Sequence, residues 1–207
     1  NRKVLRYYRS SDNNDEPWNQ TDDNQARLSG LVLLRANYWI IHRVAIDGQM
    51  KLYPATQGIE FIEDTNPCPC SDFNIIDTIL IQNLDYNGVT VGAGNNDNTI
   101  QNSVIRNSKN TDTNDWNGVG LFGGPQRTRV INNEIYNFTH DFYISEHTAE
   151  GTVVENNDLY VTRDQYTDCR GDFNGTGPCS AKEDMFGQKA GGSQFEPELI
   201  MHNRAWG

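Results

Sequence analysis

Short apolar runs alternate with polar turns along most of the chain. Beyond Ser29 the successive runs are LVLL, YWIIH, NIIDTILIQ, NTIQNSVIRN, TRVINNEIYNF, GTVVENNDLYV and ELIMHNRAWG. Asn, Gly and Asp separate these runs, and no stretch carries the period of about 3.6 residues that an amphipathic helix requires. The pattern therefore predicts an all-β chain of short strands joined by turns.

One polar position recurs in these runs and allows them to be aligned. The aligned residues are His42, Asn83, Asn102, Asn133, Asn157 and Asn203. The gaps between successive Asn positions are 19, 31, 24 and 46 residues, so a short constant unit carries insertions of unequal length. Such a repeat is typical of a solenoid of parallel strands whose stacked Asn side chains bond along its axis. We therefore expect a parallel β-helix, and we call each of its turns a coil.

A second strand follows in each coil, and these strands align on the polar residue that precedes them. The preceding residues are Asn87, Asn117, Asp141 and Asp184. Neighbouring coils of a parallel sheet lie about 4.8 Å apart. The alignment therefore predicts that Asp141 lies beside Asp184 and that Glu146 lies beside Lys189.

The first 28 residues differ in pattern from the rest of the chain. Residues 3–8 predict a strand, and residues 10–27 form a polar excursion. We therefore divide the chain into an N-terminal strand and polar loop over residues 1–28 and β-helix coils over residues 29–207. We expect the coils to be incomplete at the C-terminus, because Gly207 follows the first strand of a coil and no capping element covers the open strand edge.

The charge of the chain limits its partners. Its 207 residues include 28 Asp and Glu against 17 Lys and Arg, which gives a net charge of -11. Proteins that bind the phosphate backbone of nucleic acids need a basic face, so we expect no nucleic-acid partner. No apolar run reaches the roughly 18 residues of a membrane-spanning helix, so we also expect no membrane span.

The four cysteines indicate an oxidising compartment. Cys68 and Cys70 form a Cys-x-Cys pair, and Cys169 and Cys179 flank a polar loop. Neither spacing is that of a zinc site, so disulfides are favoured over a metal. N-glycosylation sequons support the same conclusion, and they begin at Asn19, Asn137 and Asn174. We expect a secreted or cell-surface protein.

Two features of the chain resemble a known family. The Asn-punctuated coils resemble the right-handed parallel β-helix of the pectate-lyase superfamily. The segment with Asp184, Phe186, Lys189 and then Arg204-Ala205-Trp206 is similar to calcium-dependent lyases of the family-nine pectate lyase type. The spacing of an acid and a Lys five positions later also resembles lyases of the chondroitinase B and alginate lyase type. In the family-nine type an Asp-rich calcium segment and the proposed catalytic Lys follow the Arg-Ala-Trp, beyond the last residue of this chain.

The resemblance implies a lyase that cleaves an acidic, uronic-acid-containing polysaccharide by calcium-assisted β-elimination. In that reaction a base removes the proton at C5 of the sugar, beside a carboxylate whose charge must be neutralised. Lys189 is the expected base, and Arg204 is the expected carboxylate clamp. Glu183, Asp184 and Asp141 are expected to hold calcium, which prefers hard oxygen ligands.

The remaining candidates contact the substrate, and several candidates also have a purely structural interpretation. Glu146, His147 and Trp206 are expected to bind the polysaccharide. Asp141 precedes a strand, where Asp commonly closes a turn. A surface ion pair is an alternative role for Glu146 and Lys189.

Two other functions are compatible with the same coils. A non-catalytic β-helix, such as an adhesin, a tail-spike segment or a surface-fibre subunit, would need neither calcium nor Lys189. A uronan epimerase begins with the same proton abstraction but returns the proton to the sugar. The sequence leaves the oligomeric state open.

Overall fold

A computed structural model describes most of the coil-forming part of the chain. The described residues are 3–6, 27–28, 31–33, 36–48, 57–61, 70–84, 86–108, 117–138, 141–145, 149–162, 186–188 and 198–206. These residues form strands and turns, without an α-helix among them, which confirms the all-β prediction. Within the same ranges, no helix has the length and apolar character needed to cross a membrane.

Twenty short strands are numbered in chain order. They are β1 (Lys3–Arg6), β2 (Arg27–Leu28), β3 (Leu31–Leu33), β4 (Trp39–His42), β5 (Ala45–Asp47), β6 (Ile59–Phe61), β7 (Ile75–Asp77), β8 (Leu80–Leu84), β9 (Val89–Val91), β10 (Thr99–Gln101), β11 (Val104–Ser108), β12 (Val119–Leu121), β13 (Arg129–Ile131), β14 (Glu134–Tyr136), β15 (Tyr143–Ser145), β16 (Val153–Glu155), β17 (Asp158–Tyr160), β18 (Phe186–Gln188), β19 (Leu199–Met201) and β20 (Arg204–Trp206).

The strands form three parallel sheets that the chain visits in a fixed order. Sheet A is β1-β4-β7-β10-β13-β16-β19, sheet B is β2-β5-β8-β11-β14-β17-β20, and sheet C is β3-β6-β9-β12-β15-β18. A coil is therefore one passage through sheets A, B and C. Coil 1 begins at β1, and coil 7 begins at β19. Parallel strands stacked in three sheets fit a parallel β-helix.

The core consists of apolar side chains that stack from coil to coil. In sheets A and B the middle residue of a typical strand is buried while its neighbours are more exposed, as the period of two along a strand requires. The buried columns contain Ile41, Ile76, Ile100, Val130 and Val154 in sheet A, and Ile46, Ile81, Ile105, Ile135 and Leu159 in sheet B. Full burial of such a side chain contributes about 1.5–3 kcal/mol, so the stacked columns are a main source of stability.

Two residues connect sheet A to sheet B in every coil from coil 2 onward. The first adopts a left-handed backbone conformation, with φ between 51° and 56° at Arg43, Thr78, Asn102, Asn132, Asn156 and His202. The second of the two residues forms a ladder of hydrogen bonds in coils 4 to 7. In this ladder a side-chain oxygen accepts a hydrogen bond from the backbone N–H of the equivalent residue in the preceding coil. Ser103 N–H donates to Asn133 Oδ1 at 3.1 Å, Asn133 N–H to Asn157 Oδ1 at 2.9 Å, and Asn157 N–H to Asn203 Oδ1 at 2.8 Å.

The predicted Asn alignment is correct for Asn133, Asn157 and Asn203 and wrong for the earlier members. Asn102 occupies the left-handed position, and Ser103 holds the ladder position beside it. Asn83 lies in a different bend, near the end of β8. His42 is the last residue of β4 and pairs with Asp77, its Nδ1 atom 3.0 Å from the carboxylate. Asn suits both left-handed and side-chain-bonded turn positions, so Asn spacing alone did not fix the register.

The predicted secretory features are only partly described. Cys70 is disulfide-bonded, and Cys68, Cys169 and Cys179 lie outside the described residues. The amide of Asn137 donates from Nδ2 to Asn107 Oδ1 and to Thr162 Oγ1, both at 2.9 Å. Because Asn137 is also only 9% exposed, the folded protein does not offer this sequon for glycosylation. The sequons at Asn19 and Asn174 lie outside the described residues.

Candidate functional site

Three of the eight predicted site residues lie in the part of the chain that the structure describes. They are Asp141, Arg204 and Trp206. The other five lie outside the described residues, and they are Glu146, His147, Glu183, Asp184 and Lys189. The predicted contacts of these five residues therefore stay predictions.

Sheet C has the register that the sequence alignment predicted. Tyr143 pairs with Phe186, Ile144 with Gly187, and Ser145 with Gln188, an offset of 43 residues. The earlier strands follow the same alignment, because Val89 pairs with Val119 and Val119 pairs with Tyr143. The strand register on which the site prediction depends is thus confirmed between β15 and β18.

Asp141 closes the turn that leads into β15. Its backbone N–H donates to Asn117 Oδ1 at 3.2 Å, and the N–H of Asn117 donates to Asn87 Oδ1 at 2.8 Å. The carbonyl oxygen of Asp141 accepts the N–H of Gly118 at 3.0 Å. Asp141 therefore continues a column of polar side chains at the corner between sheets B and C, as its structural interpretation predicted.

The carboxylate of Asp141 lies close to the backbone of β18. A Cβ atom at Gly187 would stand 2.4 Å from Asp141 Oδ2 and 3.0 Å from Oδ1, so the carboxylate occupies the space that a side chain at this position would take. Asp141 is 4% exposed. Carboxylate oxygens are ligands that calcium prefers. The described ranges contain no cluster of three or more His, Cys, Asp or Glu residues suited to a metal.

Arg204 and Trp206 lie together on sheet B, whereas Asp141 leads into sheet C. Arg204 Nε donates to Asp158 Oδ1 at 2.6 Å, and Nη2 donates to Asp158 Oδ2 at 2.5 Å. The carboxylate of Asp158 raises the pKa of Arg204, first through these hydrogen bonds and then through its charge. The guanidinium is 5.7 Å from the centroid of the Trp206 ring. Since 72% of the Arg204 side chain is exposed, the ion pair leaves it accessible to an anionic ligand.

Trp206 belongs to a column of stacked aromatic rings that the sequence pattern did not predict. Trp206 stacks on Tyr160 with ring centroids 4.8 Å apart, and Tyr160 stacks on Tyr136 at 4.7 Å. Arg106 extends the column, because its Nη1 donates to the Tyr136 hydroxyl at 2.7 Å. Each aromatic residue follows a ladder Asn by three positions in the sequence, a spacing that could have revealed the column.

The stacking limits which rings can bind a sugar. Saccharide rings pack on the face of an aromatic ring, and both faces of Tyr160 are covered by Tyr136 and Trp206. Trp206 is 47% exposed and has one face on Tyr160. One face of Trp206 is therefore covered by Tyr160 and does not contact a sugar.

Two tyrosines of the coils are held in the neutral form. The hydroxyl of Tyr160 donates to Glu134 Oε1, and that of Tyr143 donates to Glu198 Oε1. Burial raises the pKa of Tyr160, and Glu134 raises it further. Burial and then Glu198 raise the pKa of Tyr143 well above its ordinary value. Neither phenol therefore supplies a general base near neutral pH.

The outer face of sheet C is covered in coils 4 and 5. The outward-facing column there contains Gly120 and Ile144. Ile144 is 1% exposed, and a Cβ atom at Gly120 would lie 2.3 Å from the ring of Phe122. In coil 2 the same column contains Glu60, whose pKa is raised by burial. Coils 4 and 5 therefore do not offer an open groove along this column.

Comparison with known proteins gives no match for this chain. No protein-family model matches it, and neither a curated protein nor a solved structure does so.

Proposed function

We propose that the three sheets close into a right-handed parallel β-helix of the pectate-lyase type that cleaves an acidic, uronic-acid-containing polysaccharide by calcium-assisted β-elimination. The observation that carries this proposal is the offset of 43 residues between β15 and β18. Extended along the sequence, the same offset pairs Asp141 with Asp184 and Glu146 with Lys189. Two acid-containing segments would then run side by side at one edge of sheet C.

The proposed chemistry assigns the proton transfer to Lys189. Its neutral amine takes the proton from C5 of the uronate, the C4–O bond breaks, and a double bond forms between C4 and C5. The leaving oxygen takes up a proton, so the products are an unsaturated uronate and a new chain end. Nearby positive charge and desolvation lower the pKa of a lysine, which keeps part of it neutral near pH 7.

The other residues orient the substrate and reduce its charge. Arg204 would hold the uronate carboxylate as a clamp, using a guanidinium that Asp158 already orients. Glu146, His147 and Trp206 would contact neighbouring sugars. The positive charge of Arg204 would offset part of the repulsion between the acidic chain and an acidic polymer.

The cation would be held by Asp141 with Glu183 and Asp184. The Asp141 carboxylate fits this role because it provides two hard oxygens against the bare backbone of Gly187. Bound calcium would neutralise the uronate carboxylate and stabilise the enolate that develops on proton removal. Secretion or display at the cell surface would give the protein access to calcium and to an extracellular polymer.

The test measures ultraviolet absorbance of the unsaturated product on polygalacturonate, alginate and chondroitin sulfate, with calcium and with chelator. We expect turnover of one polymer, its loss with chelator, and a decrease of at least about 100-fold in Lys189→Ala. Lys182→Ala is the matched control, because it removes a lysine outside the proposed base position. Full turnover in Lys189→Ala would remove this residue from the mechanism.

A non-catalytic polysaccharide-binding β-helix, such as an adhesin or fibre subunit, is the second candidate. One observation favours it, because all three described site residues already make structural contacts: Asp141 in a turn, Arg204 with Asp158, and Trp206 with Tyr160. Binding of a polymer without any unsaturated product would support this candidate. A uronan epimerase would instead invert C5 without chain cleavage, which proton NMR of the polymer detects.

A further inference from the structure

The corner between sheets C and A carries one buried polar side chain immediately before each of the strands β7, β10, β13 and β16. In coils 3 and 4 these residues are Asn74 and Asn98, both fully buried. Asn98 Oδ1 accepts hydrogen bonds from the backbone N–H and from Nδ2 of Asn74, at 2.9 and 3.1 Å. Asn98 Nδ2 donates to the carbonyl oxygen of Ser71 at 2.8 Å. The two amides thus form hydrogen bonds with backbone groups of the corner and with each other.

Threonine occupies the same position in coils 5 and 6. Thr128 and Thr152 are 0% exposed, and the Oγ1 atom of each has no hydrogen-bond partner in the described part of the chain. The two residues are stacked neighbours, because the N–H of Val153 donates to the carbonyl oxygen of Thr128 at 2.9 Å. Two unpartnered hydroxyls therefore occupy adjacent positions of one buried column.

A second buried column at this corner loses its polar side chains in the same coils. Three residues before Asn74 and Asn98 stand Ser71 and Asn95, and the N–H of Ser71 donates to Asn95 Oδ1 at 2.7 Å. Three residues before Thr128 and Thr152 stand Pro125 and Ala149, whose side chains make no hydrogen bonds. This column therefore offers the threonine hydroxyls no side-chain partner.

We propose that Thr128 and Thr152 bind at least one ordered water molecule inside the protein. Threonine lacks the terminal amide with which Asn74 and Asn98 bond in coils 3 and 4, and its hydroxyl has no such partner among the described residues of coils 5 and 6. A buried hydroxyl without a partner forfeits the hydrogen bonds that it makes with solvent in the unfolded chain. Internal waters typically make about three hydrogen bonds, and backbone carbonyls of the corner can complete the set with their second lone pairs.

Isosteric substitution tests the proposal through the sign of its effect on stability. If water is bound, Thr128→Val and Thr152→Val each remove a satisfied hydroxyl and lower the urea midpoint of unfolding. If the hydroxyls are dry, valine removes a desolvation penalty and raises the midpoint. Thr99→Val is the matched control, because Thr99 is a partly exposed residue of sheet A and its substitution should leave the midpoint nearly unchanged. A higher midpoint in either buried variant overturns the proposal.

Magnetisation transfer from water gives a direct measurement on the unmodified protein. We expect NOE signals between water and the methyl protons of Thr128 and Thr152. Their sign should be the one that a long-lived contact between water and protein produces. In Thr128→Asn the amide takes the place of the bound water, so the NOE from water to this site should disappear. Absence of both NOE signals in the unmodified protein would refute the proposal.

Discussion

Coils 2 to 4 and coils 5 to 7 share one strand register, but they stabilise their corners with different residues. Before the strands of sheet A, the bonded amides of Asn74 and Asn98 are followed by Thr128 and Thr152, whose hydroxyls have no partner in the described residues. After the strands of sheet A, at the corner with sheet B, apolar residues of the early coils are instead followed by polar residues in the later coils. The successive residues there are Val44, Ile79, Ser103, Asn133, Asn157 and Asn203. The amide ladder therefore changes corner between coil 4 and coil 5.

The third corner changes between the same two coils. The residue before each strand of sheet C is Gly58, Gly88 and Gly118 in coils 2 to 4, and Phe142 in coil 5. The parallel pairing continues in register from β9 through β12 to β15 across this change. Since the register persists while the corner residues change, we infer that the stacked apolar columns set the register and that each corner needs only a local way to satisfy its backbone groups.

The largest expected effect is that of Gly88→Ala in the early coils. A Cβ atom at Gly88 would lie 2.5 Å from the carbonyl oxygen of Gly118 and 2.4 Å from Ile105 Cγ2. Because backbone of the next coil has to move, we expect a loss of about 3 kcal/mol or more in the free energy of unfolding. Urea denaturation followed by circular dichroism measures this loss.

Gly120→Ala is the matched control for this prediction. The three atoms nearest to its Cβ would all belong to the ring of Phe122, a side chain that can rotate away. We expect a loss below about 1 kcal/mol. Equal effects of the two substitutions would show that the early corners do not depend on close approach of the backbone.

Asparagine substitutions at the two ladder corners should have intermediate effects. Asn157 Oδ1 accepts two hydrogen bonds from Asn133, and its Nδ2 donates to the carbonyl oxygen of Val130 at 2.9 Å. Asn157→Ala therefore leaves several buried groups unsatisfied and should cost about 2–4 kcal/mol. Asn98→Ala removes the equivalent bonds at the other corner and should cost a similar amount. A negligible loss of unfolding free energy in either variant would contradict the conclusion that the amide ladder lies at different corners in the early and late coils.

The smallest effect is expected at Glu60, which shares an outward-facing column with Ile144. Desolvation raises the pKa of Glu60, so the folded state binds its proton more tightly than the unfolded state. The stability that this group contributes is complete below its unfolded pKa of roughly 4 and is lost as pH rises through the folded pKa. Glu60→Gln should therefore raise the urea midpoint slightly at pH 7, and the difference should vanish at acid pH. A midpoint difference independent of pH would exclude this cause.

The register of sheet C could be predicted from β9 onward because a distinctive local pattern marks these strands. An Asn or Asp stands two residues before β9, β12 and β15, at Asn87, Asn117 and Asp141, and this position is unambiguous in the sequence. The Asn ladder was harder to predict. Asn102 and Ser103 are adjacent, and both are suited to a turn, so only the hydrogen bond from Ser103 to Asn133 distinguishes their positions.

The candidate site was only partly predictable for a different reason. The sequence singled out Arg204 and Trp206 as a linear motif, and these residues do lie together. Their main partners, Asp158 and Tyr160, come from the preceding coil, 46 residues earlier. An insertion of variable length separates the motif from these partners in the sequence. The motif alone therefore does not identify them.

The all-β character, the short strands and the pairing offset in sheet C could be predicted from the sequence, because side-chain alternation and turn residues act locally. Only the tertiary structure decided which corner carries the amide ladder in each coil and which outward side chains stack, as Tyr136, Tyr160 and Trp206 do. The physical reason is that each corner group takes its partner from the neighbouring coil. That partner stands 24 to 46 residues away in the chain, at a distance that differs from coil to coil.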